Sequence, residues 1–370
     1  MSSNIGKKIA VVHDWLLGIG GAEKVLKAFH EMFPNAPIFV LFHNPKFTSK
    51  FLPAAEIRST FLQKYFKFLN FKILIPLIPL AVESIDLSEF DLVISTAQFS
   101  KGLVLKPKTL HINYCSSPTR QVWDWNSEYR RESRMLKSWL HLFQHFARIW
   151  DRHASLRVDH FMANSQNTAN RIRKYYNRAA RVIYPPVLTR ASYDSSVSMN
   201  IRNYFLIVSR LYRHKNVHLA VRAFQKLEWP LIIIGDGPEM RKLKKLVAGN
   251  PWIYFLGYQP TNIVHQYYMN CQAFVAPQEE DFGMTAIEAM SFGKPVLALK
   301  RGGALEYIKP GINGEFFEDP YEEMLADGAR RLKQNLDLYN SAEIKKTVER
   351  FTIERFQNEV AQFLVSLSEL

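Results

Sequence analysis

Hydrophobic residues along the chain fall into short, nearly uninterrupted runs, which alternate with segments where they recur every three or four positions. Such runs are expected of strands buried on both faces of a parallel sheet, and the periodic segments are expected of amphipathic helices. In the first half, the predicted strands are KIAVVHDW, PIFVLFHN, DLVISTAQ, TLHINYCSS and HFMANS. In the second half, they are YFLIVSR, PLIIIGDG, WIYFLGY, AFVAP and PVLALK. The pattern predicts an α/β protein with doubly wound parallel sheets.

A break in the alternation divides the chain into two domains. The sequence YPP, ending at Pro186, interrupts the pattern, and the serine-rich stretch ASYDSSVS follows shortly after it. The length of 370 residues suits two domains of ordinary size. We expect domains at 1–186 and 187–350 that meet across a cleft. A last helix is expected at 351–370, with its return to the first domain as one possible arrangement.

The composition adds a requirement for an anionic partner. The chain has a net charge of +14, and its isoelectric point is near 9.6. Nucleic acid, a phosphorylated substrate and anionic lipid all meet this requirement. Basic residues alternate with aromatic ones in FLQKYFKFLNFKILIPLIPL, at 61–80, as expected of an element that lies on lipid headgroups. The alternative is a surface helix followed by a buried proline-rich turn.

No stretch of the sequence predicts a membrane span. The longest apolar run, 73–82, contains two prolines and has roughly half of the ~20 residues needed to cross a bilayer. Cys115 and Cys271 lie far apart, without the spacing of a metal site, and no secretory signal is evident at the beginning of the chain. We therefore expect a protein of the reducing cytoplasm.

The first candidate site is the loop GIGGAE, which follows the first predicted strand. A dinucleotide-binding fingerprint requires a third glycine where this chain has Glu23, and no acidic residue ends the second strand. A nicotinamide dinucleotide site is therefore disfavoured. The backbone N–H groups of Gly20 and Gly21 can still approach a phosphate or a sugar. A tight turn between strand and helix explains the two glycines equally well.

The second candidate is the loop SRLYRHKN, which follows the first predicted strand of the second domain. Arg210 comes at the end of this strand, and Lys215 comes just before the next helix. Two cations at the carboxyl end of a strand, beside the positive end of a helix dipole, form a site for a multiply charged anion. A diphosphate is the expected ligand.

The third candidate is EEDFGMTAIEAMSFGKPV, at 279–296, which combines acidic residues with a predicted helix. Glu280 lies in the loop after the strand AFVAP, and Glu288 interrupts an apolar helical run that ends at Gly293. Carboxylates accept hydrogen bonds from hydroxyl groups, so acids beside a diphosphate site suit a ligand that contains sugars. The residues expected to bind it here are Glu280, Phe282, Gly283, Met284, Thr285 and Glu288.

Together these motifs resemble those of a known enzyme family. Glu280 and Glu288, with seven residues between them, resemble the E-x7-E motif of retaining family-4 glycosyltransferases with the GT-B fold. Arg210 and Lys215 are similar to that family's Arg-x4-Lys clamp, and GDGP, at 235–238, is similar to its glycine-rich turn. GGALEYIKPGINGEFF, which follows the predicted strand PVLALK, resembles a further segment of that family.

The N-terminal half is similar to mannosyltransferases that build bacterial O-antigen and capsule polysaccharides. The similar stretches are VVHDWLLGIGGAEKVL, LIPLIPLAVESIDLSEFDLVIS and YCSSPTRQVWDW. The resemblance covers nearly the whole chain, and it implies two Rossmann-like domains facing a cleft. It also implies GDP-mannose as the donor and a polyprenyl-diphosphate-linked saccharide as the acceptor. The enzyme would act on the inner face of the cell membrane as a peripheral protein, without nucleic acid.

The resemblance assigns a role to each of the charged residues. Glu280 would hold hydroxyl groups of the donor sugar, and Glu288 would hold the ribose. Arg210 and Lys215 would neutralise charge on the departing diphosphate, with Gly20, Gly21 and the amides after Phe282 as further donor contacts. No cofactor is implied. No metal ion is implied either, and the sequence has no D-x-D motif to hold one.

The expected acceptor-side residues are His13, Asp14, Ser116, Arg120 and Asp124. The similar mannosyltransferases usually carry a histidine where this chain has Ser116, which puts acceptor choice in question if the imidazole ring is required. His111 is a poor substitute, because its side chain is expected to pack inside. A hydrogen bond at the strand end explains His13 and Asp14 as well, and helix capping or core packing explains Arg120, Trp123 and Asp124.

Two further function classes account for part of the sequence. A dinucleotide-dependent oxidoreductase explains the α/β pattern alone. A non-catalytic module that binds nucleic acid or anionic lipid explains the positive charge alone, and it gives no reason for Glu280 and Glu288. A nucleotide-sugar-dependent transferase explains the glycines, the cation pair, the spaced acids and the charge together.

Overall fold

The computed structural model describes residues 7–69, 71–124, 134–187 and 201–368, and the chain forms two compact units. The first unit consists of residues 1–186 and 356–370, and the second consists of residues 187–355. The serine-rich stretch ASYDSSVS lies outside the described residues, as do residues 125–133.

Seven parallel strands form the sheet of the first unit, in the order β3-β2-β1-β4-β5-β6-β7. The strands are β1 (Ile9–Leu16), β2 (Ile38–His43), β3 (Ile57–Ser59), β4 (Leu92–Thr96), β5 (Leu110–Cys115), β6 (His160–Ala163) and β7 (Ala180–Val182). Strands β2 and β3 lie on one side of β1, and strands β4 to β7 lie on its other side. The winding of the sheet therefore reverses between β1 and β4, and ligands of doubly wound sheets bind at the carboxyl ends of such a strand pair.

Helices cover the faces of this first sheet. They are α1 (Gly21–Met32), α2 (Pro45–Phe51), α3 (Leu62–Phe66), α4 (Phe71–Leu74), α5 (Ile78–Glu83), α6 (Arg120–Trp123), α7 (Arg134–Leu156) and α8 (Gln166–Tyr176). Local capping explains the bounds of α8. The Ser165 hydroxyl accepts a hydrogen bond from the amide of Thr168, and Asn177 ends the helix in the left-handed conformation.

Six parallel strands form the sheet of the second unit, in the order β10-β9-β8-β11-β12-β13. The strands are β8 (Phe205–Val208), β9 (Leu231–Ile234), β10 (Ile253–Gly257), β11 (Ala273–Ala276), β12 (Val296–Leu299) and β13 (Gly314–Phe317). The apolar strand sequences FLIV, LIII and AFVA are buried almost throughout, as expected of a sheet covered on both faces. Here the winding reverses between β8 and β11.

The helices of this part of the chain are α9 (Val217–Leu227), α10 (Met240–Leu246), α11 (Thr261–Asn270), α12 (Met284–Ser291), α13 (Glu322–Gln334), α14 (Ser341–Val348) and α15 (Ile353–Ser368). The apolar faces of α9 and α13 pack with β8 and β9 in one core. The predicted strands and helices are therefore present, and the two Rossmann-like α/β sheets confirm the predicted fold class. The short strands β3, β7 and β13 were not predicted.

The proline-containing segment at 73–82 is helical and has one buried and one exposed face. The alternative expectation was a surface helix followed by a buried proline-rich turn, and in the structure Leu74, Ile78, Ala81 and Val82 of this segment are buried in the core. Pro76 and Pro79 occupy the first turns of a 3-10 turn and of α5, where proline's missing N–H group is tolerated. Leu77 and Leu80 are exposed. Among the described residues, no helix is both long enough and apolar enough to cross a membrane.

The helix α15 packs into the first unit through Phe356. Its ring is fully buried and lies edge-on to Phe29 and to Tyr114, with ring centroids 5.4 and 5.7 Å apart. The last segment of the chain thus contributes to the core of the first sheet, although almost the whole second unit precedes it in sequence.

We expect Phe356→Ala to destabilise the first unit by about 3–5 kcal/mol, because it removes a buried ring whose space its aromatic neighbours cannot refill. Val365→Ala, at an exposed position of the same helix, should change stability by less than about 0.5 kcal/mol. Urea unfolding of the two variants measures the difference. Equal midpoints would contradict the packing role of Phe356.

Candidate functional site

Two loops meet at the carboxyl ends of β8 and β11, where the second sheet reverses its winding. The loop after β8 contains a 3-10 turn over residues 213–215, and the loop after β11 leads into α12. Asn216, between the turn and α9, adopts a left-handed conformation with φ of 53°. Its side-chain amide donates to the carbonyl of Pro277 at 3.3 Å and so joins the two loops.

Lys215 and Glu280 form an ion pair across this strand pair. Only 9% of Lys215 is exposed, and its ammonium group contacts Glu280 Oε1. The side-chain amide of Gln278 donates to the same oxygen at 3.2 Å. Taking an ammonium group out of water is costly unless a charged partner compensates it, so the carboxylate stabilises the lysine in this position. The site thus combines a nearly buried cation with a more exposed acid.

Arg210 lies on the same loop, near the ring of Tyr212. The centre of its guanidinium group is 6.0 Å from the ring centroid, and the residue is exposed. The glycine-rich turn after β9 supports the backbone of this loop, since the amide of Leu211 donates to the Asp236 carbonyl at 2.8 Å. A Cβ atom at Gly235 would lie 1.9 Å from the carbonyl oxygen of Ser209. Only glycine permits this close approach.

The beginning of α12 is shaped by Gly283 and Tyr307. Gly283 has a φ of 91°, and a Cβ atom there would lie 2.4 Å from the Tyr307 hydroxyl. Met284 and Thr285 follow as the first two residues of the helix. From the other side, the amide of Gly303 donates to the Glu280 carbonyl at 2.9 Å. The acidic loop and the helix N-terminus are therefore held in one arrangement.

Phe282 and Glu288 occupy more buried positions than the loop. The Phe282 ring packs edge-on against Tyr307 and Phe351, which gives this side chain a place in the core. Glu288 is 9% exposed, and its Oε2 atom lies 3.2 Å from the hydroxyl of Tyr268. The structure thus brings Lys215, Glu280 and the beginning of α12 to one edge of the second sheet, with Glu288 in the second turn of that helix.

At the corresponding edge of the first sheet, His13 bridges β1 and β4. Its Nδ1 atom is 2.6 Å from the hydroxyl oxygen of Thr96, and its Nε2 atom is 3.9 Å from the Glu23 carboxylate. Gly20 and Gly21 form the beginning of α1. A Cβ atom at Gly20 would lie 2.7 Å from Glu23 Oε2, so the glycine leaves room for this carboxylate beside the histidine.

The Asp14 carboxylate binds the backbone of the loop after β4. It accepts hydrogen bonds from the amides of Gln98, Phe99 and Ser100 at distances of 2.8–3.1 Å. Ala97, in the same loop, has a φ of 78°, which is unfavourable for a residue with a side chain. The three bonds give Asp14 a structural role, the alternative that the sequence left open for it.

The segment after β5 carries the other acceptor-side predictions. The Ser116 carbonyl accepts from Asn164 Nδ2 at 2.8 Å, and Arg120 begins α6. Asp124 contacts Arg171 and accepts from the Tyr175 hydroxyl at 2.7 Å, so its carboxylate is used within the first unit.

His111 packs inside the first unit, as expected. Its Nε2 atom lies 2.8 Å from the Ser95 hydroxyl oxygen, and burial lowers the pKa of His111 to about 4. The ring is therefore neutral at pH 7. This arrangement leaves it with a structural role.

Within the described residues, no group of three or more histidine, cysteine, aspartate or glutamate side chains is arranged to hold a metal ion. Tyr268, Tyr307 and Asn216 support the acidic loop and α12 but were not predicted as site residues. Asn216 ends the loop SRLYRHKN and Tyr307 lies within GGALEYIKPGINGEFF, whereas Tyr268 lies outside these motifs, and nothing in the local pattern distinguishes the three from ordinary core or capping residues.

We expect Gly283→Ala to lower the thermal unfolding midpoint more than Gly249→Ala does. Gly249 also has a positive φ, of 76°, but a Cβ atom there would meet nothing within 4 Å. Gly249→Ala thus measures the backbone strain alone, about 1–3 kcal/mol, while Gly283→Ala adds the contact with the Tyr307 hydroxyl. Tyr307→Phe in the Gly283→Ala background should restore part of the loss, and no restoration would contradict this contact.

Two family models match the chain, and together they span most of its length. Residues 19–190 match Glycosyltransferase Family 4, and residues 194–347 match Glycosyl transferases group 1. The crystal structure of Anabaena Alr3699/HepE in complex with UDP has a similar fold, with a TM-score of 0.70 and 17% identity. The similarity covers 96% of this chain and 100% of that one.

Curated relatives are glycosyltransferases as well. An uncharacterized glycosyltransferase of Methanocaldococcus jannaschii is 28% identical over 205 residues, which cover 54% of this chain and 55% of the relative. The chain therefore spans about half the length of this relative. The alpha-1,3/1,6-mannosyltransferase ALG2 of Mus musculus is 25% identical over 297 residues, 69% of this chain and 67% of that one. These similarities do not support an oxidoreductase or a nucleic-acid-binding module. The chain belongs to the glycosyltransferases of the group 1 and family 4 type, with the GT-B fold.

Proposed function

We propose that this protein is a retaining glycosyltransferase that transfers a sugar from a nucleoside diphosphate sugar, with GDP-mannose as the donor. The observation that carries this proposal is the Lys215–Glu280 pair at the reversal point of the second sheet, with Glu288 on the helix that follows. A cation beside two hydroxyl-binding acids suits a diphosphate joined to two sugars.

Lys215 and Arg210 bind the diphosphate of the donor. As the bond between the anomeric carbon and the phosphate oxygen breaks, negative charge grows on the departing nucleoside diphosphate. A fixed cation in a site with little water stabilises this charge more in the transition state than in the ground state. The N–H groups at the beginning of α12, from Gly283 to Thr285, add the positive end of the helix dipole.

The acids orient the two sugars of the donor. Glu280 accepts hydrogen bonds from hydroxyl groups of the transferred sugar while it keeps its contact with Lys215, and Glu288 binds the ribose. The acceptor oxygen then forms its bond to the anomeric carbon on the face that the phosphate leaves. Its proton passes to the departing phosphate oxygen, so configuration is retained and neither a metal ion nor a separate base enters the step.

The first unit supplies the acceptor site in this proposal. His13, held by Thr96 and close to Glu23, lies at the carboxyl edge of β1 and β4, where ligands of such sheets bind. Ser116 and Arg120 follow the neighbouring strand β5. Asp14 and Asp124 support the surrounding backbone and side chains, and we do not assign them a contact with the acceptor.

Two similarities bear on the donor sugar and its base. Mannose follows from the resemblance of the N-terminal half and from the name of the relative ALG2, a mannosyltransferase. The similar Anabaena structure contains UDP. Thermal-shift measurements with GDP, UDP, ADP and their sugars decide between the bases, since a ligand at ~100 times its dissociation constant adds about 2.7 kcal/mol of stability.

The proposed acceptor is a saccharide linked to a polyprenyl diphosphate, reached from the cytoplasmic face of the membrane. The segment from α3 to α5 exposes large apolar side chains, and 86% of Phe68 is accessible. Lys64 and Lys67 are exposed in the same segment. Apolar side chains flanked by cations suit an anionic lipid surface, where each cation contributes about 1 kcal/mol.

We expect Lys215→Ala to lower kcat/KM for sugar transfer by about 100- to 1,000-fold, because the departing diphosphate loses its most enclosed cation. The thermal unfolding midpoint should change little, since Glu280 keeps partial access to water. Lys226→Ala, on the exposed face of the following helix, is the matched control and should leave the rate unchanged. A Lys215→Ala enzyme with the parent rate would refute the proposed role.

We expect the protein to bind vesicles that contain phosphatidylglycerol and to bind pure phosphatidylcholine vesicles weakly. Binding should decrease at about 1 M salt, where the Debye length is about 3 Å. Replacing Phe68 and Ile73 by serine should weaken binding about tenfold or more, because both side chains are exposed and apolar.

Vesicle cosedimentation measures this binding, and Leu338→Ser is the control. Leu338 is also highly exposed, but it lies in the second unit, outside the segment from α3 to α5. If Leu338→Ser weakens binding as much as the double variant, or if salt has no effect, this segment is not the membrane contact.

A further inference from the structure

Tyr268 lies beneath Glu288, and its ring has little freedom to move. Its side chain, near the end of α11, is fully buried. The ring stacks on Phe292, with centroids 5.6 Å apart and planes 12° apart, and it contacts Phe274 at 5.7 Å. A ring held by two aromatic neighbours places its hydroxyl group at a defined point below α12.

The Tyr268 hydroxyl group has two acceptors on α12. It lies 3.2 Å from Glu288 Oε2 and 3.2 Å from the carbonyl oxygen of Thr285, one turn earlier. Burial raises the pKa of Tyr268 well above its usual value, and the Glu288 carboxylate raises it further. The hydroxyl group therefore keeps its proton at physiological pH and acts as a donor to the carboxylate.

We propose that Tyr268 is the positioning residue that gives the nucleotide site its preference for ribose. This inference rests on the proposed function, in which Glu288 binds the ribose. A glutamate side chain has several rotatable bonds, and its carboxylate has about four acceptor positions. A hydrogen bond from Tyr268 to Oε2 restrains this oxygen and limits rotation of the carboxylate, which directs the remaining acceptor positions toward the 2′- and 3′-hydroxyl groups of a bound nucleotide.

A fixed acid also penalises the wrong ligand. A site that hydrogen-bonds a hydroxyl group rejects an analogue without that group, because its own buried polar atoms then lose their partner. Glu288 is nearly buried, so a nucleotide without ribose hydroxyl groups leaves its carboxylate poorly solvated. If the carboxylate is free to turn away, this penalty becomes smaller.

A purely structural role for Tyr268 makes a different prediction. If the hydroxyl group only fastens α11 to α12 through the Thr285 carbonyl, its removal weakens folding and lowers the affinity for all nucleotides by the same factor. If it positions Glu288, its removal lowers the affinity for ribonucleotides and leaves that for dideoxyribonucleotides nearly unchanged. The ratio of the two affinities separates these roles.

The test measures dissociation constants by calorimetry for GDP, UDP and ADP and for their 2′,3′-dideoxy counterparts. The variants are Tyr268→Phe, which keeps the ring and removes the hydroxyl group, and Tyr204→Phe as the matched control. Tyr204 is equally buried in the same unit, and its hydroxyl group donates to the Tyr267 carbonyl of α11 at 2.8 Å. Glu288→Gln reports on the ribose contact itself.

For the parent protein, we expect the tightest-binding base to favour the ribonucleotide by about tenfold or more. Tyr268→Phe should reduce this ratio at least about threefold, with the dideoxy affinity within about twofold of the parent. Tyr204→Phe should keep the parent ratio. Dideoxy binding by Tyr268→Phe also verifies that the variant has folded.

The remaining outcomes separate this inference from the proposed function. If Glu288→Gln loses the ribose preference and Tyr268→Phe keeps it, the role of Tyr268 is overturned and the proposed function stands. If Tyr204→Phe lowers the ratio as much as Tyr268→Phe, the effect comes from general loosening of α11, and the role of Tyr268 is again overturned. If no nucleoside diphosphate binds, or if the parent has no ribose preference, the assignment of Glu288 fails and this inference fails with it.

Discussion

The ion pair between Lys215 and Glu280 is the interaction on which the arrangement of the second unit's site depends. A lysine with so little exposure needs a carboxylate nearby, and the loop after β11 supplies it. The same requirement brings two loops together that are far apart in sequence, and the Asn216 side chain reinforces their contact. A single pairing thereby defines both the charge of the site and the position of the acid that follows β11.

The supports of this pair are mostly backbone contacts that require glycine. The Arg210 loop rests against the turn at Gly235, and the Glu280 carbonyl is held by the Gly303 amide. Two buried tyrosines complete the arrangement, because Tyr307 contacts Gly283 and Tyr268 contacts Glu288. Close backbone contacts and buried rings leave few alternative positions for the charged groups. Such preorganisation is what electrostatic stabilisation of a transition state requires.

The first unit repeats the topology with different chemistry. Its winding also reverses beside its first strand, and His13 bridges β1 and β4 there as Lys215 and Glu280 bridge the loops after β8 and β11. The edge of the first sheet carries an imidazole, a glutamate and glycines, where the second sheet carries a lysine and a glutamate. In the proposed reaction, this difference suits an uncharged hydroxyl nucleophile on one unit and a diphosphate on the other.

The sequence by itself determined the α/β class, most of the strands and the identity of the charged motif residues, because these depend on local periodicity and on spacing within one loop or helix. The α/β class is confirmed, whereas the roles of the motif residues stay predictions. Only the tertiary structure decided which partners those residues have. The three backbone amides bound by Asp14, the buried Tyr268 below Glu288 and the ring of Phe356 among its aromatic neighbours all join segments distant in sequence. Such contacts follow from the order in which strands add to a sheet, and a pattern read along the chain carries no information about side chains that meet only after the sheet has formed.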